Sequence, residues 1–186
     1  MNLRINAGVC THVGRVGNSN GDNFFLNGSF FTGKSEKKGL MRCRESGDPV
    51  QLYAVFDGMG DGSAGEEASA LGASLMRNLL DDLRGGEEFM EAVNRYAALA
   101  NDAVASLGKG AGSTLAVLCI RDGVAHAAWL GNSRIYLLRN GGLTRITDDH
   151  TGERQRYLGM GASGAAAMPS CAADIPLKRK DVFLLC

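Results

Sequence analysis

Val50-Gln51-Leu52-Tyr53-Ala54-Val55-Phe56 runs directly into Asp57-Gly58-Met59-Gly60-Asp61-Gly62-Ser63-Ala64-Gly65-Glu66, and the change of character at Asp57 decides the fold. The first seven residues are mostly apolar and rich in strand formers, the pattern of a buried strand, and the glycine cluster ends it. From Ser63 the period becomes helical. Ser63 and Glu66 have the S-x-x-E spacing of a capping box, and Ala64, Ala68, Leu71, Leu75, Leu79 and Leu83 recur every three or four residues up to Gly85-Gly86. Phe89, Val93, Tyr96, Ala100, Val104 and Leu107 repeat the pattern as far as Gly108, which predicts a second helix running back beside the first. These stripes read as core rather than as a cofactor box.

On either side of the helices the period is that of strands. Leu3 to Thr11 predicts a strand, and Asn23 to Phe31 predicts a hairpin turning at Asn27-Gly28, a dipeptide that tolerates positive φ. Thr32 to Pro49 is polar and basic and predicts a solvated loop. Beyond the helices, Thr114 to Ile120, Val124 to Leu130, Arg134 to Leu138 and Leu143 to Ile146 read as an antiparallel meander. Gly161 to Ala173 is rich in small residues and without period, a loop by default. Strands, two adjacent helices and further strands predict an α+β fold in which sheet packs on sheet and helices cover an outer face.

Composition narrows the function. The 186 residues, 45% hydrophobic, suffice for one core and suggest one domain. Lys plus Arg equals Asp plus Glu at 20 each, so no long-range field draws nucleic acid or an anionic membrane. The five cysteines are scattered, odd in number and lack a C-x-x-C pair, which argues against a disulfide framework or a zinc site. No signal-peptide pattern and no run of roughly 20 apolar residues is present, so the expected location is the cytoplasm.

The glycine-rich segment after Phe56 admits two chemistries. Gly60, Gly62 and Gly65 satisfy G-x-G-x-x-G between a strand and a helix, the dinucleotide pattern. Asp57 and Asp61 would repel a pyrophosphate, no ribose-binding acid follows on a second parallel strand, and a meander replaces the βαβ repeat. The other chemistry is a divalent cation held by a carboxylate at the strand end, with the next backbone carbonyl exposed to it. Gly58 permits that approach.

Asp57 through Glu66 matches the block D-G-M-G-x-x-x-x-G-E, and Gly14, Val16, Asn20 and Asp22 match G-x-V-R-x-x-N-E-D. Gly112-Ser113-Thr114, Gly131-Asn132-Ser133-Arg134 and Asp149-His150-Thr151 echo G-S-T, G-D-S-R and D-H-T. In this order the blocks resemble the PPM family of metal-dependent protein serine/threonine phosphatases, the protein phosphatase 2C type. The resemblance implies a four-layer α/β/β/α sandwich over residues 1–186, incomplete at the C-terminus because it stops before the family's S-D-G and D-N aspartates. It implies Mn²⁺ or Mg²⁺ as cofactor, two ions in the family, held by Asp57 and the Gly58 carbonyl, with Asp22 at the metal site through a metal-bound water. It also implies water as nucleophile and phosphoserine or phosphothreonine proteins as substrates, in a signalling pair with a kinase.

Three positions depart from the pattern. Gly17 stands where the family has its phosphate-gripping arginine, Gly21 replaces the acid or amide before Asp22, and Asn132 replaces the aspartate of G-D-S-R. Asp57 and Asp22 offset only about two of the four charges of two divalent cations, so a full binuclear site is not expected from these residues. The implied function is metal-dependent dephosphorylation, weak or absent in this chain, with a catalytically dead binding or regulatory module as the alternative. Asp174 and Asp181 read as solvated charges, Asp148-Asp149-His150 as a polar turn, and His12, His126 and His150 as ordinary surface or turn histidines. Val182 to Leu185 reads as a central strand left without its next partner.

Overall fold

The computed structural model describes residues 4–15, 19–32, 40–108, 110–161 and 167–186. In chain order the elements are β1 (Ile5–Thr11), β2 (Asp22–Leu26), β3 (Ser29–Phe30), β4 (Leu40–Ser46), β5 (Val50–Met59), α1 (Ala64–Arg84) and α2 (Phe89–Ala105). There follow β6 (Gly112–Ser113), β7 (Leu115–Arg121), β8 (Val124–Leu130), β9 (Ile135–Arg139), β10 (Gly142–Arg145), β11 (Ser170–Cys171), β12 (Ile175–Pro176) and β13 (Val182–Leu185). The main sheet runs β11-β8-β7-β5-β2-β3, with β12 on β8 and β6 on β5, and every pairing is antiparallel. Two smaller sheets, β1-β4 and β10-β9-β13, complete the strands.

Both faces of the main sheet are covered. One core contains Leu52, Ala54 and Phe56 of β5 beneath Met76, Leu79 and Leu83 of α1 and Val93, Tyr96 and Ala100 of α2. The other places Phe24, Tyr53, Leu118 and Trp129 against Ile135 of β9, with Ile5 and Val9 of β1 and Phe183 and Leu185 of β13 packed on it. A strand that alternates between two apolar layers must be apolar throughout, which accounts for the run Val50 to Phe56. The predicted α+β sandwich with helices on an outer face is therefore the observed architecture, and both helices lie on the face opposite β1, β9 and β13.

The two helices follow their stripes, but the first is not capped as its sequence predicts. Ser63 makes no side-chain cap to α1; its hydroxyl donates instead to Glu67 Oε1 at 2.6 Å, because φ −90° and ψ 1° at Ser63 are not the extended conformation that a capping box needs. Helix α2 is capped by Glu88, whose carboxylate accepts the N–H groups of Met90 and Glu91. Tyr96 Oη donates to Gly72 O at 2.8 Å and ties the helices together.

Three other expectations change, and one holds. The solvated loop over Thr32 to Pro49 contains β4, which pairs with all of β1 from Ile5↔Ser46 to Thr11↔Leu40. The meander divides: β7 and β8 stay in the main sheet, whereas β9 and β10 cross to the other layer. Gly161 to Ala173 contains β11, which pairs Ser170 with Trp129. Val182 to Leu185 forms β13, which among the described strands pairs with β9 alone and so ends its sheet without a further partner, as its sequence predicts. No helix among the described residues is long and apolar enough to cross a membrane.

Candidate metal and phosphate site

Strand β5 continues past Phe56 to Met59, so Asp57 and Gly58 remain inside the ladder. The β2–β5 register sets Asp22 directly opposite Asp57. Side chains of directly opposed residues share a face, so two carboxylates separated by 35 positions in the sequence project from one spot of the main sheet. They line a cleft of about 380 Å³ whose walls include Thr11 and His12 at the end of β1, Asn132 and Ser133 between β8 and β9, and Cys186 after β13. A cavity of about 390 Å³ between α2 and residues 167–169 contains Asn94, Asn101 and Asp102 but no carboxylate pair.

Among the described residues the charges in the cleft have no cationic partner. None of the ion pairs among the described residues involves Asp22 or Asp57. Although Asp22 is exposed on the cleft side, the protein packed around its carboxyl raises its pKa above the ordinary range, and the charge of Asp57 and a hydrogen bond with it push the same way. Two hard carboxylate oxygens donors facing one another without a counter-charge suit one divalent cation. They do not suit two. Among the described residues no group of three or more His, Cys, Asp or Glu side chains is placed to hold a metal ion, and Asn132 brings a neutral amide to the cleft.

Close packing of glycines sets the strand spacing beside the pair. A Cβ on Gly21 would lie 2.8 Å from Gly58 O, and one on Gly65, in the first turn of α1, would lie 2.7 Å from the same oxygen. Gly21 is thus more than a lost acid: as placed, the chain has no room there for a side chain. Gly58 N donates to Gly21 O at 3.1 Å, closing the contact from the other side. Of the remaining expected positions, Gly17 lies outside the described residues, and Asn132 reaches the cleft wall.

Thr114, Ser133 and Arg134, which the G-S-T and G-N-S-R blocks carry without an evident task, are engaged beside the cleft. Thr114 N donates to Asp57 O at 2.9 Å, and Asp57 N donates to Thr114 Oγ1, also at 2.9 Å. The same hydroxyl lies 2.6 Å from Ser133 Oγ. Arg134 clamps Asp149 with two bonds, Nε to Oδ1 at 3.0 Å and Nη2 to Oδ2 at 2.6 Å, and this pair holds the carboxyl of Asp149 below its ordinary pKa. The blocks G-N-S-R and D-D-H are therefore a structural clasp beside the cleft.

Asp174 and His12 are exposed as expected, whereas His126, His150 and Asp181 are held by partners. Gly131 N donates to His150 Nδ1 at 3.2 Å, which puts the ring proton on Nε2, 2.9 Å from Ser170 Oγ. Burial, then the positive charge of Arg156, lowers the His150 pKa. His126 Nδ1 meets Asp174 Oδ1 at 2.7 Å. Asp181 is not solvated: its side chain is 4% exposed, and Arg139 grips it bidentately at 2.8 and 2.7 Å. Only His12, whose Nδ1 accepts Gly14 N–H at 2.9 Å, lies in the cleft while remaining exposed.

The site thus sits on an antiparallel sandwich with helices on one face of the main sheet and an aspartate pair between opposed strands. The family described as Protein phosphatase 2C matches residues 14–156, and the chain belongs to that family. It is 35% identical over 124 residues to the serine/threonine protein phosphatase PstP of Mycobacterium tuberculosis, a match spanning 61% of this chain and 24% of that protein. The chain thus spans about a quarter of the length of the curated relatives it matches. Among solved structures it is similar to PppA, described as a key regulatory component of the T6SS in Pseudomonas aeruginosa, with 25% identity and a TM-score of 0.68 over 98% of this chain and 76% of that one. The catalytic domain of PstP in complex with two manganese ions has the same fold, with 23% identity and a TM-score of 0.71 over 98% of this chain and 77% of that one.

Proposed function

We propose that residues 1–186 form a phosphatase-type domain that binds one divalent cation, Mn²⁺ or Mg²⁺, between Asp22 and Asp57 and acts on phosphoserine or phosphothreonine in protein substrates. The observation that carries this reading is the register Asp22↔Asp57, which converges two carboxylates on a cleft without a cationic partner among the described residues. When bound, the cation would lower the pKa of a water and offset phosphoryl charge. The chain's own residues do the rest. Asp22 and Asp57 would hold the cation, the Gly58 carbonyl lies beside them where glycines at 21 and 65 leave it room, and Asn132 and His12 line the cleft that an anion would enter. Membership of the phosphatase family supports phosphoprotein substrates, and a partner serine/threonine kinase and a cytoplasmic setting belong to the same reading.

Turnover is expected to be weak. The neutral Asn132 and the two-carboxylate shell favour, as second reading, a chain that keeps the fold and binds phosphoproteins without hydrolysing them. Release of phosphate from p-nitrophenyl phosphate and from phosphothreonine peptides, measured with Mn²⁺ from zero to millimolar, separates the two. Metal-dependent turnover abolished by Asp57→Asn supports the enzyme; phosphopeptide binding without turnover supports the module; neither activity refutes both.

A further inference from the structure

Each carboxylate of the pair is held from behind by one buried side-chain oxygen that accepts its peptide N–H. For Asp57 the acceptor is Thr114 Oγ1 at 2.9 Å; for Asp22 it is Asn20 Oδ1 at 3.1 Å. Thr114 is 1% exposed and Asn20 8%, so neither competes for a ligand, yet each also reaches a wall of the cleft. Asn20 Nδ2 donates to Thr11 Oγ1 at 2.8 Å, and the Thr114 hydroxyl lies 2.6 Å from Ser133 Oγ. Thr11, at the end of β1, and Ser133, in the turn between β8 and β9, both line the same cleft. Gly131 leaves room for this arrangement, since a Cβ there would lie 2.7 Å from Thr114 Cγ2.

We propose that Thr114 and Asn20 are positioning residues that fix the spacing of the Asp57 and Asp22 carboxylates against their mutual repulsion, and so set the affinity of the cleft for a divalent cation. Two like charges on neighbouring strands push their carriers apart, and the glycines at 21 and 58 beside them contribute no side chain to resist this. A hydroxyl or amide oxygen that captures the N–H of the carboxylate residue itself resists the shift where it starts. Groups that orient metal ligands in this way typically change affinity by about 10- to 100-fold when removed. The inference rests on the proposed metal site.

The test is Mn²⁺ binding followed by the electron paramagnetic resonance signal of the free ion at 10 °C, with folding checked by near-UV circular dichroism. The proteins are the wild type, Asp57→Asn, Thr114→Val, Thr114→Ser and Ser133→Ala. Thr114→Val keeps volume but removes the acceptor, and is expected to weaken Mn²⁺ binding by about tenfold or more, with Thr114→Ser restoring it to within about threefold of wild type. Ser133→Ala removes the outer link and is expected to fall between them, which keeps the proposal testable should Thr114→Val not fold. A folded Thr114→Val that binds as the wild type does, or failure of serine to rescue, overturns the positioning role while leaving the metal site intact. A wild type without measurable binding, or Asp57→Asn binding equally well, removes the metal site and the proposal with it.

Discussion

Substituting Gly58 by alanine tests the packing that brings the carboxylates together. The added Cβ would fall 2.0 Å from Gly65 O and 2.4 Å from Gly21 O, and both obstacles are main chain. To reach even 3.0 Å, the first turn of α1 must retreat by about 1 Å and the approach to β2 by about 0.6 Å. Neither can move alone, because α1 is sealed onto β5 through Met76, Leu79 and Leu83, and Asp22 is paired with Asp57. Overpacking against a rigid neighbour costs about 1–3 kcal/mol, and contact with two backbone segments places Gly58→Ala at about 3 kcal/mol or above. For a chain of this size that is a fall in Tm of roughly 6–12 °C. Urea unfolding at 25 °C, read by far-UV circular dichroism, gives the change from the midpoint and slope. Gly47→Ala is the control, because no atom lies within 4 Å of its added Cβ and its φ is outside the left-handed region; it should be neutral or stabilise by up to about 1 kcal/mol. A loss below about 1 kcal/mol for Gly58→Ala refutes the interlocked-glycine argument.

The other expectations concern charge and hydrogen bonding. Burial and Asp57 disfavour the ionised form of Asp22, so its folded pKa is raised and its charge costs stability above the ordinary value of 3.8. Asp22→Asn should therefore raise the Tm of the metal-free protein at pH 7, with the gain vanishing below that value; a lower Tm at pH 7 refutes the repulsion. His150 has a folded pKa below 6.5, so its contribution is present above 6.5 and is lost as pH falls through the folded value. Urea midpoints between pH 8 and 5 should decline more steeply for the wild type than for His150→Gln, and parallel curves would count against the neutral ring bridging Gly131 and Ser170. Tyr96→Phe removes the bond to Gly72 O between the helices and should cost about 1 kcal/mol, measurable as a midpoint shift without change of slope. An unshifted midpoint would show that the bond is replaced.

Local pattern determined much of this protein. The 3.6-residue stripes fixed α1 and α2, the apolar run ending at Asp57 fixed β5, and Asn27-Gly28 fixed a hairpin, since Asn27 adopts φ 43° and Gly28 φ 100°. Each of these depends on neighbours a few positions away, which is why periodicity and turn chemistry read them. The family blocks also marked Asp22 and Asp57 as candidates. What required the tertiary structure is whatever depends on pairing distant segments. Strand β4 carries no apolar alternation and exists because β1 offers it an edge; β9 and β10 resemble a continued meander, yet the turn at Gly131–Arg134 carries them into the other layer. Asp181 reads as a surface charge until Arg139, 42 positions away, buries it. The same holds at the cleft. A register of backbone hydrogen bonds sets Asp22 opposite Asp57, and Thr114, 57 positions along the chain, captures the Asp57 N–H. Composition can supply the carboxylates, but only the strand ladder decides that they face one another, because register is a property of two strands and not of either one.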